Sequence, residues 1–139
     1  MQEAEILNAV RQAQTVAVVG MQDQANADRP AYQVPAQLQR RGYALFPVNP
    51  KIRESLGIAS LSTVADLEFA PDILDVFRSA EHIPALVDEL LALPEDQRPK
   101  LVWLQSGITH PDSEARLEAA GIHVVADKCL GVYAARTSR

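Results

Sequence analysis

Thr15-Val16-Ala17-Val18-Val19-Gly20, continued by the polar run Met21 to Asp28 and then by Arg29-Pro30, is the stretch that decides the fold. A short apolar, mostly β-branched run reads as a strand buried on both faces, and a proline suits the first turn of a helix. A second apolar run, Ala44 to Val48, follows and ends in Pro47-Val48-Asn49-Pro50. Strand, loop, helix and strand in that order make a βαβ unit, part of a nucleotide-binding half-fold. The helix start leaves N–H groups unpaired beside a partial positive charge, which suits a phosphate. Gly20 is the one glycine in a loop where a dinucleotide fingerprint carries three, so the pattern departs from ordinary NAD binding.

Further apolar runs stand at Ile73 to Phe77, Leu101 to Gln105 and His123 to Ala126, which brings the expected strands to five. They alternate with helical patterns: Ile6, Leu7, Val10 and Ala13 on a leading helix, and Ile83, Leu86, Val87, Leu90 and Leu91 at i, i+3, i+4, i+7 spacing on another. A further helix is expected from Pro111 to Ala120, with Gly121 at its C′ position. Pro35 has no N–H to donate and is placed in or near the first turn of the second helix. Lys51 to Asp66 reads as a short helix plus a connection, and Pro94 to Pro99 as a charged loop. The fold class is therefore α/β: a three-layer, Rossmann-like, doubly wound parallel sheet with order 3-2-1-4-5, spanning residues 1–139 as one domain.

The 139 residues suffice for one core without disulfides or structural metal, and the net charge of −5 gives no footprint for nucleic acid or an anionic membrane. Cys129 is the lone cysteine, in keeping with a reducing compartment, and no leader or membrane-spanning run is visible, so a cytoplasmic location is expected.

Ligands of such sheets sit at the carboxyl ends of the strands, where strand order reverses. The loops there carry Gly20 and Arg29; Asn49, Pro50 and Lys51; Phe77 and Arg78; and Gln105, Ser106 and Gly107. Arg29 is either a phosphate ligand or a solvated residue beside a capping Asp28. Asn49 and Pro50 either meet a ligand or merely end a strand. Arg78, next to Ser79 as an N-cap, opposes the helix dipole, so it requires a bound anion or a carboxylate partner. Trp103 reads as core with its indole N–H bonded. His82, His110 and His123 lack metal spacing and read as capping or solvated residues, and Cys129 beside Lys128 is either a buried thiol or an activated one.

Gly20 with Arg29-Pro30, Arg41-Gly42-Tyr43 leading to Pro47-Val48-Asn49-Pro50, Asp75-Val76-Phe77-Arg78, Trp103 to Ile108, and Val125-Ala126-Asp127-Lys128-Cys129 together resemble the small stand-alone coenzyme A-binding proteins of bacteria and archaea. The resemblance covers nearly the whole chain, in order. It implies a Rossmann-like domain similar to the N-terminal domain of the succinyl-CoA synthetase alpha subunit and of related acyl-CoA synthetases. By that resemblance Gly20, Met21, Gln22 and Arg29 hold coenzyme phosphates, and Asn49, Pro50 and Lys51 flank the nucleotide. Gln105, Ser106 and Gly107 line the crevice, and Phe77-Arg78 matches the family's Phe-Arg pair. Ala31 departs from the serine common after the Arg-Pro pair, removing one hydroxyl contact.

The synthetases' phosphorylated histidine belongs to a further domain, and none of the histidines here matches its motif. The expectation is a non-catalytic protein that binds coenzyme A or acyl-CoA. Two alternatives remain: an NAD(H)- or nucleotide-binding redox sensor, and the CoA-binding subunit of an acyl-CoA synthetase or transferase complex.

Overall fold

The computed structural model describes residues 1–137. Its strands are β1 (Thr15–Val19), β2 (Ala44–Val48), β3 (Glu54–Ser55), β4 (Ile58–Ala59), β5 (Ile73–Val76), β6 (Leu101–Leu104) and β7 (His123–Val125). Its helices are α1 (Glu3–Gln12), α2 (Pro30–Arg40), α3 (Ile83–Leu91), α4 (Pro111–Ala119) and α5 (Leu130–Ala135). The apolar runs form one parallel five-stranded sheet, β2-β1-β5-β6-β7. Beyond β2, Leu61 makes a parallel bridge to Val48 and takes the outermost position. Counted with that bridge, the order opens 3-2-1-4-5 as expected, with one reassignment. The Ile73 run is the fourth position, beside β1, because the Leu61 segment occupies the third.

Alternation along the strands separates two cores. Val16 and Val18 of β1 pack with Ile6 and Val10 of α1, Val34 and Leu38 of α2, and Leu130, Tyr133 and Ala134 of α5. Ala17 and Val19 face the opposite way, toward Ile83, Leu86, Val87 and Leu90 of α3 and Leu117 of α4. Both faces are buried, which is why the strand sequences read as continuous apolar runs. Trp103 is fully buried, stacks edge-on against Tyr133 at 5.3 Å, and donates its indole N–H to the Lys128 carbonyl at 2.8 Å.

Several local expectations change. The helix of residues 51–66 is only the 3-10 turn Val64–Asp66; the segment also holds a small hairpin of β3 and β4, turned by Leu56 and Gly57 with positive φ at both positions, as a tight right-twisted hairpin requires. Pro35 lies in the interior of α2, not its first turn. The carbonyl that an N–H at position 35 would have bonded, that of Ala31, instead accepts the N–H of Gln22 at 3.1 Å. Arg29, not Asp28, is the N-cap residue of α2, and its side chain makes no capping bond. Ser79 caps only a 3-10 turn, without a side-chain bond, and α3 starts four residues later at Ile83. The short α5 was not expected from the sequence, although Leu130, Tyr133 and Ala134 have the i, i+3, i+4 spacing that seats it on the core.

The order in which successive strands are added reverses between β1 and β5, although all run parallel, and Gly20 stands at that point. Its φ is +82°, and a β-carbon there would lie 2.3 Å from the Phe77 carbonyl oxygen. A side chain is excluded both by conformation and by contact with backbone that cannot yield cheaply. Gly20→Ala is expected to lower the unfolding free energy by about 2 kcal/mol or more, read from denaturant midpoints. A loss below about 0.5 kcal/mol would show that the β1–β5 approach is not tight.

Candidate ligand site at the carboxyl edge

A cleft of about 560 Å³ opens over this reversal. Gly20 and Gln22 from the loop after β1, Arg29 and Ala31 at the start of α2, Phe77, Arg78 and Ser79 after β5, and Gln105, Ser106 and Ile108 after β6 line it, together with Cys129. Arg29 is exposed, Arg78 is half-buried, and among the described residues neither is in an ion pair or side-chain hydrogen bond. The carboxylate partner that would have satisfied Arg78 within the chain is therefore missing from the described residues. α2 carries no acidic residue in its first turn, and no group of the described chain accepts the Ala31 N–H. Two cations and a helix N-terminus thus face the same concavity without an internal anion, an arrangement complementary to a phosphate.

The other sequence-derived candidates divide. Met21 is fully buried in the core, and what reaches the loop is its carbonyl, which accepts the Asn49 side-chain amide at 2.9 Å. Asn49 is itself 5% exposed and accepts the Lys51 N–H at 2.9 Å, so its amide ties the loops after β1 and β2 together. Pro50 lines a second cleft of about 280 Å³ with Val19, Val48, Thr63, His82 and Arg78. Arg78 therefore borders both clefts. Lys51 is exposed and lines a separate shallow depression with Asp23 and Arg53. Gly107 has φ +85° and its N–H is held by the Asp127 carboxylate at 2.7 Å. Ser79 and Ile108 escaped sequence reading as cleft residues, since small or apolar residues in loops carry no chemical signal, whereas Ala31 lines the cleft at the position where the family resemblance implied a lost hydroxyl contact. His110 accepts the Ser113 N–H through Nδ1 and caps α4, as expected of a capping histidine.

Asp75 lies directly beneath the cleft floor. It is fully buried in the middle of β5 and accepts the Gln105 Nε2–H at 2.6 Å, while its second oxygen is enclosed without a partner. Burial raises its pKa to about 7, against the opposing hydrogen bonds from Gln105 and the Val76 backbone.

Residues 14–135 match the family model described as CoA binding domain. The chain belongs to that CoA-binding domain family. It is 33% identical to an uncharacterized protein, YneT, of Bacillus subtilis (strain 168), over 97% of this chain and 96% of that protein. The solved structure of cell-free ID.343 from Thermus thermophilus superposes with a TM-score of 0.89 at 43% identity, covering 98% of each chain. A dinucleotide-forming acetyl-coenzyme A synthetase 1 of Ca. Korarchaeum cryptofilum shares the fold, with a TM-score of 0.70 at 17% identity. The match covers 87% of this chain but 27% of that longer one.

The raised Asp75 pKa has a defined consequence for stability. In the unfolded chain the carboxyl ionises near 3.8, whereas in the fold it stays neutral until about pH 7. Its contribution is therefore fully present below about pH 4 and is lost as pH rises through 7. Asp75→Asn removes this titration, so the variant's stability relative to the parent should climb between pH 4 and pH 8, by up to the order of 4 kcal/mol. Parallel stability profiles for the two proteins would contradict the assignment.

Proposed function

We propose that the protein binds coenzyme A or an acyl-CoA reversibly and does not transform it. The observation that carries this reading is the pairing of Arg29 and Arg78, free of internal ion pairs among the described residues, across a cleft at the sheet reversal. Membership of the CoA-binding domain family supports coenzyme A as the ligand class. Arg78, bordering both clefts, is placed to hold a phosphate between a nucleoside end in the cleft with Pro50 and His82 and a pantetheine arm running toward Gln105 and Cys129.

The NAD(H) reading loses support at the end of β2. Asn49 stands where an acidic ribose ligand is expected, and its amide is occupied by Met21 and Lys51. Glu54, the acidic residue further on, is bonded to the Gly57 N–H in the hairpin turn. The reading as the CoA-binding subunit of a larger synthetase or transferase is favoured by one observation, that a longer acetyl-CoA synthetase chain contains this fold as 27% of its length.

Coenzyme A at about 100 times its dissociation constant should add roughly 2.7 kcal/mol to stability and raise Tm by several degrees, with no comparable rise from NAD(H). The reverse ranking of the two ligands would overturn the reading. Arg29→Ala should weaken coenzyme A binding by about tenfold or more in calorimetric titration, the loss of one charge-assisted contact. Because Arg29 is exposed and makes no capping bond, the free variant should keep the parent's stability to within about 0.5 kcal/mol. Unchanged affinity would remove Arg29 from the site.

A further inference from the structure

The orientation of the Gln105 side chain at the cleft is set from below. Its Nε2 donates to the buried Asp75 carboxylate, and among the described residues no group donates to its Oε1, on a side chain that lines the cleft. An ionised carboxylate only accepts hydrogen bonds, so it compels the amide to point N–H downward and present oxygen to the cleft. A neutral carboxyl can instead donate to Oε1, which turns the amide over and presents N–H to the cleft. We propose that Asp75 is a positioning residue that determines whether the cleft floor offers a ligand a hydrogen-bond acceptor or a donor. The inference rests on the coenzyme A reading for the ligand's identity, not for the coupling between Asp75 and Gln105.

The surroundings of Asp75 isolate this exchange. Its neighbours in register are Val18 of β1 and Trp103 of β6, neither titratable. On the helices over the same face, Glu3, Glu5 and Arg11 of α1 and Arg40 of α2 are solvent-exposed, and Arg41 follows α2 half-buried. Tyr133 of α5 bonds Glu3 through its hydroxyl, and Cys129 precedes that helix at the cleft. Arg29 and Arg78 stand at the cleft rim above. None of these groups bonds Asp75, whose proton affinity is raised by burial and lowered by Gln105 and the Val76 N–H. The midpoint near neutrality places both states of the amide within ordinary solution conditions.

In its ionised state the site takes a donor from the ligand, such as an amide N–H or a hydroxyl of the pantetheine arm. Lowering the pH withdraws that acceptor, so binding should weaken on acidification. The test uses dephospho-coenzyme A as the probe, since it lacks the phosphomonoester of coenzyme A that itself titrates near pH ~6. For the parent, calorimetric affinity should fall by about threefold or more between pH 8 and pH 6. In Asp75→Asn it should vary by less than about 1.5-fold over that range.

In the ligand-free parent, the side-chain NH2 resonances of Gln105 should titrate with a midpoint near 7 and stay constant in Asp75→Asn. Static Gln105 resonances in the parent, or the same affinity profile in both proteins, would overturn the proposal. If Gln105 titrates as expected but the probe and coenzyme A bind at no pH, the ligand reading fails and the coupling stands.

Discussion

Contact between the end of β1 and the end of β5 is the constraint on which the site depends. Gly20 lets the two backbones meet closely enough that any β-carbon would collide with the Phe77 carbonyl. That approach brings the loop leading to Arg29 and the turn carrying Arg78 to the same edge of the sheet. Gly20 serves this backbone–backbone approach first, and the concavity above it is the result. A glycine in such a loop is readily taken as room for a ligand; here the room is already filled by β5.

The loop after β1 is then fixed without a glycine-rich fingerprint. Asn49 holds the Met21 carbonyl, Ser55 holds the Gln22 carbonyl at 2.8 Å, and Ala31 accepts the Gln22 N–H. Pro35 makes the last of these bonds available, since the helix interior has no N–H of its own to offer that carbonyl. A proline that costs a helix one hydrogen bond thus releases an acceptor that anchors the loop after β1. The small hairpin of β3 and β4, through Ser55, belongs to the same brace.

Most of the architecture was legible because parallel strands buried on two faces leave continuous apolar runs, and Val16 to Val19 or Leu101 to Leu104 admit little else. The hairpin was not, because two-residue strands have no period to read, and neither was the Leu61 bridge that fills the outer sheet position. Of the site, Arg29, Arg78 and Gln105 were legible as polar groups in loops at the correct strand ends. Asn49 and Lys51 looked alike in sequence yet part in space: one is buried and braces loops, the other is exposed and lines a different depression. Asp75 was hidden by its position inside an apolar run, where its chemistry depends wholly on burial and on a partner thirty residues away.

In the reading proposed above, the carboxyl edge of the sheet, not some other surface, receives the coenzyme. Backbone amide NMR shifts during a coenzyme A titration test it most directly. The perturbed amides should cluster at residues 20–22, 29–32, 77–79 and 105–108. Perturbations gathered instead around Asp72, Lys100 and His123, which line a cleft near the opposite edge of the sheet, would contradict it.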